Sequence, residues 1–95
     1  MKFNIQHEAS ASKGRFYVED NGKTLAEMTY SVAGSDKIII DHTDVDDSLR
    51  GMGVGLKLVE ASVRYVRENN IKILPLCPFA NVQFKKHAEF RDVLV

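Results

Sequence analysis

The segment Arg50-Gly51-Met52-Gly53-Val54-Gly55 constrains this chain more than any other stretch, because it separates two runs of different period. Upstream, Lys37 to Val45 (KIIIDHTDV) carries Ile38 to Ile40 without a polar break, as expected of a strand covered on both faces. Downstream, Leu56, Val59, Val63 and Val66 recur at helical spacing, and Asn69-Asn70 ends the helix. Ile71 to Leu76 (IKILPL) is then a short apolar strand, and Pro78 breaks the chain again. A strand, a glycine-rich turn, a helix and a second strand make a βαβ unit. Its two strands are parallel neighbours with a right-handed crossover.

The first half has the two-residue period of strands. Phe3 to His7 alternates, and Arg15 to Asp20 (RFYVED) runs into Asn21-Gly22, a pair suited to a type I′ hairpin turn. Thr24 to Ala33 returns with Ala26, Met28, Tyr30 and Val32 on one face, and Gly34-Ser35-Asp36 turns into the next strand. The expected fold is therefore α+β, an antiparallel four-stranded meander followed by the βαβ unit. Asn81 to His87 reads as a short C-terminal helix capped by Asn81, and Phe90 to Val95 as a loose or extended tail.

Composition narrows the class. The 95 residues suit a single domain (1–95), with 44% hydrophobic and 27% charged residues. Thirteen basic residues balance thirteen acidic ones, which argues against nucleic acid as a partner. The single cysteine excludes an internal disulfide framework and a four-cysteine zinc site, and no His, Cys and carboxylate set has metal-ligand spacing. No apolar run is long enough to span a bilayer, and the start MKFNIQHEAS has no signal-peptide core. A soluble cytoplasmic protein without a membrane partner is expected, as a monomer or weak homodimer.

Glycines let backbone approach a ligand closely, and the first-turn N–H groups of a helix lack intrahelical partners. With the positive end of the helix dipole they form a pyrophosphate cradle, to which Arg50 adds a charge. The alternative is a tight turn needing glycine for packing alone. Neither familiar nucleotide loop fits. A Walker loop requires Lys-Ser/Thr after its last glycine, where this chain has Leu56-Lys57-Leu58, and the dinucleotide fingerprint requires glycine where Leu56 stands.

The remaining pattern, Arg/Gln-x-x-Gly-x-Gly/Ala, is met by Arg50, Gly53 and Gly55. Placed after a strand and opening a long helix, it resembles the coenzyme A loop of the GNAT N-acetyltransferases. HTDVDDSLRGMGVG, LPLCPFANVQFKKH and the terminal FRDVL resemble the compact, single-domain GNAT-like subfamily, and the likeness runs from about Asp41 to Leu94. The resemblance implies a truncated GNAT fold, with acetyl-CoA held between two parallel strands that splay apart, here Lys37–Val45 and Ile71–Leu76. It places pantetheine contacts on the strand end from Thr43 to Val45. It places the pyrophosphate on the N–H groups of Arg50, Gly51, Met52, Gly53, Val54, Gly55 and Leu56. Asn81, Phe84 and Lys85 of the last helix are further implied contacts, with a plain N-cap as the other reading of Asn81.

Two departures from the family pattern bear on chemistry. Only Glu8 to Gly14 stand where relatives carry helices that build the acceptor pocket, so the acceptor site is shallow, open or completed by another molecule. Many relatives use a Tyr on the last helix to protonate the departing thiolate, and the matching position is Phe84. Cys77 is the candidate substitute, as proton donor or as covalent acetyl carrier; its alternative is a small buried hydrophobe. His42, on the adjacent strand, is the candidate activator if both side chains face one way, and otherwise a structural histidine.

Asp41, Asp44, Asp46 and Asp47 crowd the approach to the loop. Asp46 or Asp47 with Ser48 reads as a cap, and Asp44 as a base for an amine is the alternative. His7 and His87 read as surface residues. Lys85-Lys86 reads as a solvated face, unless one lysine meets the cofactor's 3′-phosphate. The functional readings are an acetyl-CoA-dependent N-acetyltransferase acting on an unidentified amine (small molecule or protein) and a weakly catalytic or non-catalytic acyl-CoA-binding module. A remote third is an interaction domain with a purely structural glycine loop.

Overall fold

The computed structural model describes residues 4–95. One sheet runs in chain order from β1 (Gln6–Ala9) through β2 (Lys13–Asp20), β3 (Lys23–Ala33) and β4 (Lys37–Val45) to β5 (Lys72–Pro75). The first four strands are antiparallel, and β4 and β5 are parallel from Lys37↔Lys72 to Ile40↔Pro75. The mixed α+β architecture is the expected one. The β2–β3 hairpin turns on Asn21 and Gly22 with φ of 51° and 79°, as a type I′ turn demands. Part of the first expected strand, Phe3, lies outside the described residues; the strand itself begins at Gln6.

Helix α1 (Val54–Asn69) connects β4 to β5 across one face of the sheet. Leu58, Val59, Val63 and Val66 are buried against Phe16, Met28, Tyr30, Ile38, Ile40 and Ile73. Each such side chain contributes roughly 1.5–3 kcal/mol of transfer free energy. Ser62, in the same stripe, satisfies its hydroxyl on the Val59 carbonyl at 2.7 Å. Leu56 is only half-buried and Leu58 takes its place in the stripe. Asn70 ends the helix in the left-handed conformation, φ 55°, with its N–H on the carbonyls of Arg67 and Val66.

The C-terminal region differs from expectation. Helix α2 spans Pro78–Lys86, with Cys77 as its N-cap and Pro78 opening it, four residues earlier than an Asn81 cap would place it. Proline is favoured in the first turn because the N–H it lacks would have no partner there. Nor is the tail loose. Ala88–Val93 forms a 3₁₀ turn, Val93 is buried, and the Val95 N–H reaches the Ile73 carbonyl at 3.0 Å. The free edge of β5 supplies these partners, and Arg67 ties the segment down through Asp92 at 2.6 Å.

His7 is exposed along one side, but it is not a plain surface residue. Its ring stacks on Phe16 at 4.2 Å and meets the edge of Tyr65 at 4.6 Å, and Nε2 lies 2.6 Å from the Tyr30 hydroxyl. Burial lowers the pKa of His7, and burial together with Tyr65 pushes Tyr30 up to about 12. In both cases the folded state favours the neutral form. Below the ordinary histidine value near ~6.5 the unfolded chain takes up a proton that folded His7 resists, so stability falls with falling pH there. Above ~10 unfolded tyrosine ionises while folded Tyr30 does not, so stability falls again as pH rises toward about 12. Urea midpoints measured across pH should show a plateau between these limits. His7→Phe should flatten the upper acid limb; an unchanged limb there would exclude His7 as its source.

Candidate active site

The site begins where two strands part. Up to Ile40↔Pro75 the strands β4 and β5 are paired; there the Ile40 carbonyl accepts the N–H of both Leu76 and Cys77 at 3.0 Å. Beyond that point β5 ends and the chain turns into α2, while β4 continues to Val45 paired only with β3. The backbone on the open side of Asp41 to Val45 therefore has no β5 partner.

A bulge at the same level decides which side chains face this opening. Tyr30 pairs with Ile40, but Thr29 pairs with His42, so Asp41 is an extra residue on β4. Strict alternation from Ile38 and Ile40 would turn His42 toward α1. The bulge reverses the parity, so that Thr43 and Val45 share the face of Met28 and Ala26. His42 is exposed on the opposite face with Thr29. Cys77 is 5% exposed, and its thiol donates to the Thr43 hydroxyl at 3.3 Å. The condition for His42 to activate Cys77, that both side chains face one way, is not met: Cys77 meets Thr43 and His42 faces away.

A cavity of about 490 Å³ continues the opening, with Thr43 and Val45 on one side and the glycine-rich loop on the other. The loop is held from below. Asp46 caps a short 3₁₀ helix (Asp47–Leu49), accepting from the Ser48 N–H at 3.0 Å and the Ser48 hydroxyl at 2.6 Å. These bonds hold the Asp46 carboxyl below the usual carboxylate range. Leu49 plugs the core beneath.

The loop glycines also have conformational and packing reasons. Gly51 and Gly53 have φ of 79° and 74°, in the left-handed region. At Gly55, inside α1, an added Cβ would collide with the Phe79 ring. Gly53 is the N-cap of α1 and makes no side-chain cap, and the Lys57 N–H donates to the Gly53 carbonyl at 3.1 Å as the first bond of the helix. The N–H groups of Val54, Gly55 and Leu56 therefore have no intrahelical acceptor. Val54, Gly55 and Leu56 line the cavity, where their N–H groups are joined by the positive end of the helix dipole. Arg50 stands at the rim, exposed, with Nε 2.7 Å from Asp47.

Helix α2 closes the other wall, with residues different from those expected. Phe79 and Gln83, one turn apart, line the cavity. Phe84 is 2% exposed in the core, its ring 6.3 Å from Phe90 in an edge contact. Asn81 lies within α2 and donates to the Pro75 carbonyl at 3.3 Å, closing the turn out of β5. Lys85 is exposed and outside the cavity lining, and Met52 is exposed at the loop. The signal for Phe79 and Gln83 was Pro78: a helix started there puts both on one face.

A model of the GCN5-related N-acetyltransferases matches residues 15–93. The chain belongs to this family. The activity class of the family is N-acetyl transfer. A GCN5-like protein of Staphylococcus aureus, solved by NMR in solution, is 41% identical with a TM-score of 0.74, over 97% of this chain and 89% of that one. Protein NATD1 of Gallus gallus is 29% identical over 84 residues, covering 87% of this chain and 76% of its own. A predicted acetyltransferase of Clostridium acetobutylicum solved with acetyl-CoA shares the fold, with a TM-score of 0.62 at 19% identity over 78% of this chain and 55% of that one.

Proposed function

We propose that this protein is an N-acetyltransferase that takes acetyl-CoA in the cavity between the glycine-rich loop and the end of β4 and passes the acetyl group to an amine. The observation that carries the reading is the uncapped N-terminus of α1, which opens on a cavity whose inner end reaches the parted strands beside Cys77. The residues fit the ligand: the free first-turn N–H groups and Arg50 suit a pyrophosphate, and the unpaired backbone from Thr43 to Val45 suits the amides of a pantetheine arm.

Acetyl-CoA supplies the thioester. In this reading Arg50 exchanges Asp47 for the pyrophosphate, and the N–H groups of Gly51, Gly53, Val54, Gly55 and Leu56 orient it, those of Arg50 and Met52 being held by the carbonyls of Asp47 and Leu49. Phe79 walls the arm, and the half-buried Asn81 holds the β5–α2 turn that carries Cys77. An amine nitrogen bonds to the thioester carbon, the carbon–sulfur bond breaks, and the departing thiolate takes a proton. Cys77 can give that proton and recover one released by the amine, or first take the acetyl group as its own thioester and release it to the amine.

Intact-protein mass spectrometry after incubation with acetyl-CoA separates these routes. Covalent transfer predicts the added mass of one acetyl group, removed by hydroxylamine and absent in Cys77→Ala. Under either route Cys77→Ala should bind coenzyme A normally and lose roughly a hundredfold in turnover. Unchanged turnover returns Cys77 to a packing role. A second reading, a coenzyme A-binding module without efficient turnover, is favoured by the neighbour of Cys77: a neutral threonine hydroxyl in place of a base. Tight binding with no adduct and no acetylation of any amine would select it.

A further inference from the structure

A second cavity, of about 570 Å³, lies across β1 to β4. Arg15, Thr29, Ser31 and Asp41 line it; by register Arg15, Thr29 and Ser31 stand on the face opposite the buried Phe16, Met28 and Tyr30. Its volume lies in the range of small-molecule pockets. We propose that this cavity is the acceptor site, that it takes a small primary monoamine as its ammonium form, which gives one proton to solvent before the nitrogen can attack the thioester, and that Asp41 holds the nitrogen. The proposal rests on the acetyltransferase reading and deepens it.

The argument starts from charge. Arg15 is already neutralised: Nε lies 2.6 Å from Glu8, Nη1 lies 2.7 Å from Glu27, and the guanidinium stacks 3.8 Å over Tyr17. Asp41 has no such partner. Its carboxylate accepts from the hydroxyls of Thr29 and of Ser31, the latter at 3.1 Å, and makes no ion pair among the described residues. Two neutral donors leave lone pairs on both oxygens, which an ammonium can fill. Lys13, across the β2–β3 pair from Ser31, also lines the cavity and adds a positive charge that disfavours a second ammonium on the same ligand.

Position supplies the second argument. Asp41 is the bulge residue and follows Ile40, whose carbonyl marks the last point where β4 and the β5–α2 turn are joined. Thr43, two residues on, faces the other side and touches Cys77. The parted strands therefore form a slot bordered on one face by the proposed thioester site and on the other by Asp41. An amine held at Asp41 lies next to the slot from the side that the coenzyme cavity leaves free. The chain needs no added helices to build such a pocket, since β1 and the turn to β2 supply its far wall through Glu8, Ala9 and Ser10.

Amide NMR titration of the coenzyme A-loaded protein with ethanolamine tests this. Shifts centred on Thr29, Ser31 and Asp41 are expected, with weaker shifts from 1,4-diaminobutane. Asp41→Asn removes the charge but keeps an acceptor oxygen, and should weaken ethanolamine at least about tenfold. Lys13→Trp, at an exposed position paired with Ser31 and on the same face, should block the pocket while leaving Thr29, Ser31 and Asp41 in place. Both variants should retain wild-type coenzyme A affinity. Failure of the wild type to bind coenzyme A would overturn the functional reading and this inference together. Normal coenzyme A binding with ethanolamine shifts absent, located elsewhere, or insensitive to both variants would overturn the acceptor site alone. Shifts produced only by an Ala-Ala dipeptide amine would overturn the small-monoamine assignment.

Discussion

Gly53→Glu is expected to abolish coenzyme A binding while the domain stays folded. The residue is the N-cap of α1 at φ 74°, and a Cβ there meets nothing within 4 Å. The substitution therefore meets backbone strain without a clash, a cost of about 1–2 kcal/mol for a left-handed L-residue. A carboxylate at a helix N-terminus returns roughly 0.3–1 kcal/mol of that through the dipole. The same carboxylate occupies the place proposed for the pyrophosphate, meeting it with like charge and competing for the free N–H groups of Val54, Gly55 and Leu56. Affinity should fall by about two orders of magnitude or more, since several charge-assisted hydrogen bonds are lost together. Isothermal titration with coenzyme A, with a thermal melt as the folding control, reads both effects. Gly53→Ala carries the strain without the charge and should retain most of the binding. If Gly53→Glu binds as tightly as wild type, the loop is only a turn.

Phe84→Ala is expected to cause the largest loss of stability. Phe84 is buried at 2% exposure, with its ring against Phe90, and its carbonyl accepts Arg91 Nε at 3.1 Å. Removing a ring from such a place leaves a cavity and typically costs about 3–5 kcal/mol. Against a total of roughly 5–15 kcal/mol for a domain, that is a large fraction. At about 4–8 °C per kcal/mol the melting temperature should fall by some 12 °C or more. The site should suffer as well, because α2 carries Phe79 and Gln83 on the cavity wall and is capped by Cys77. Urea unfolding and coenzyme A titration on the same variant check both halves. A drop of only a degree or two would mean that α2 is held by other contacts.

Much of the route to this site is legible in the residues. The left-handed conformations at Asn21, Gly22, Gly51 and Gly53 fall where the turns were placed, because the residues that tolerate positive φ are few. The Asp46–Ser48 cap is legible too, since a carboxylate two residues before an N–H is a local geometry. Reading Asn81 as a cap failed because Pro78 is the stronger helix start. The tail reads only as loose or extended because the partner that orders it, the edge of β5, is remote in sequence.

Local chemistry therefore determined the strand, glycine turn, helix and strand order, and the presence of a free helix N-terminus beside Arg50. Each depends on the period and φ preferences of a few consecutive residues. Tertiary structure alone decided which groups meet. The bulge at Asp41 is a property of the β3–β4 pairing, not of either strand, and it turns Thr43 toward Cys77 and His42 away. The Phe79 ring over Gly55 and the lining of one cavity by Asp41 and an ion-paired Arg15 likewise bring together residues far apart in sequence. Such contacts follow from register and packing, which a one-residue shift would reassign throughout.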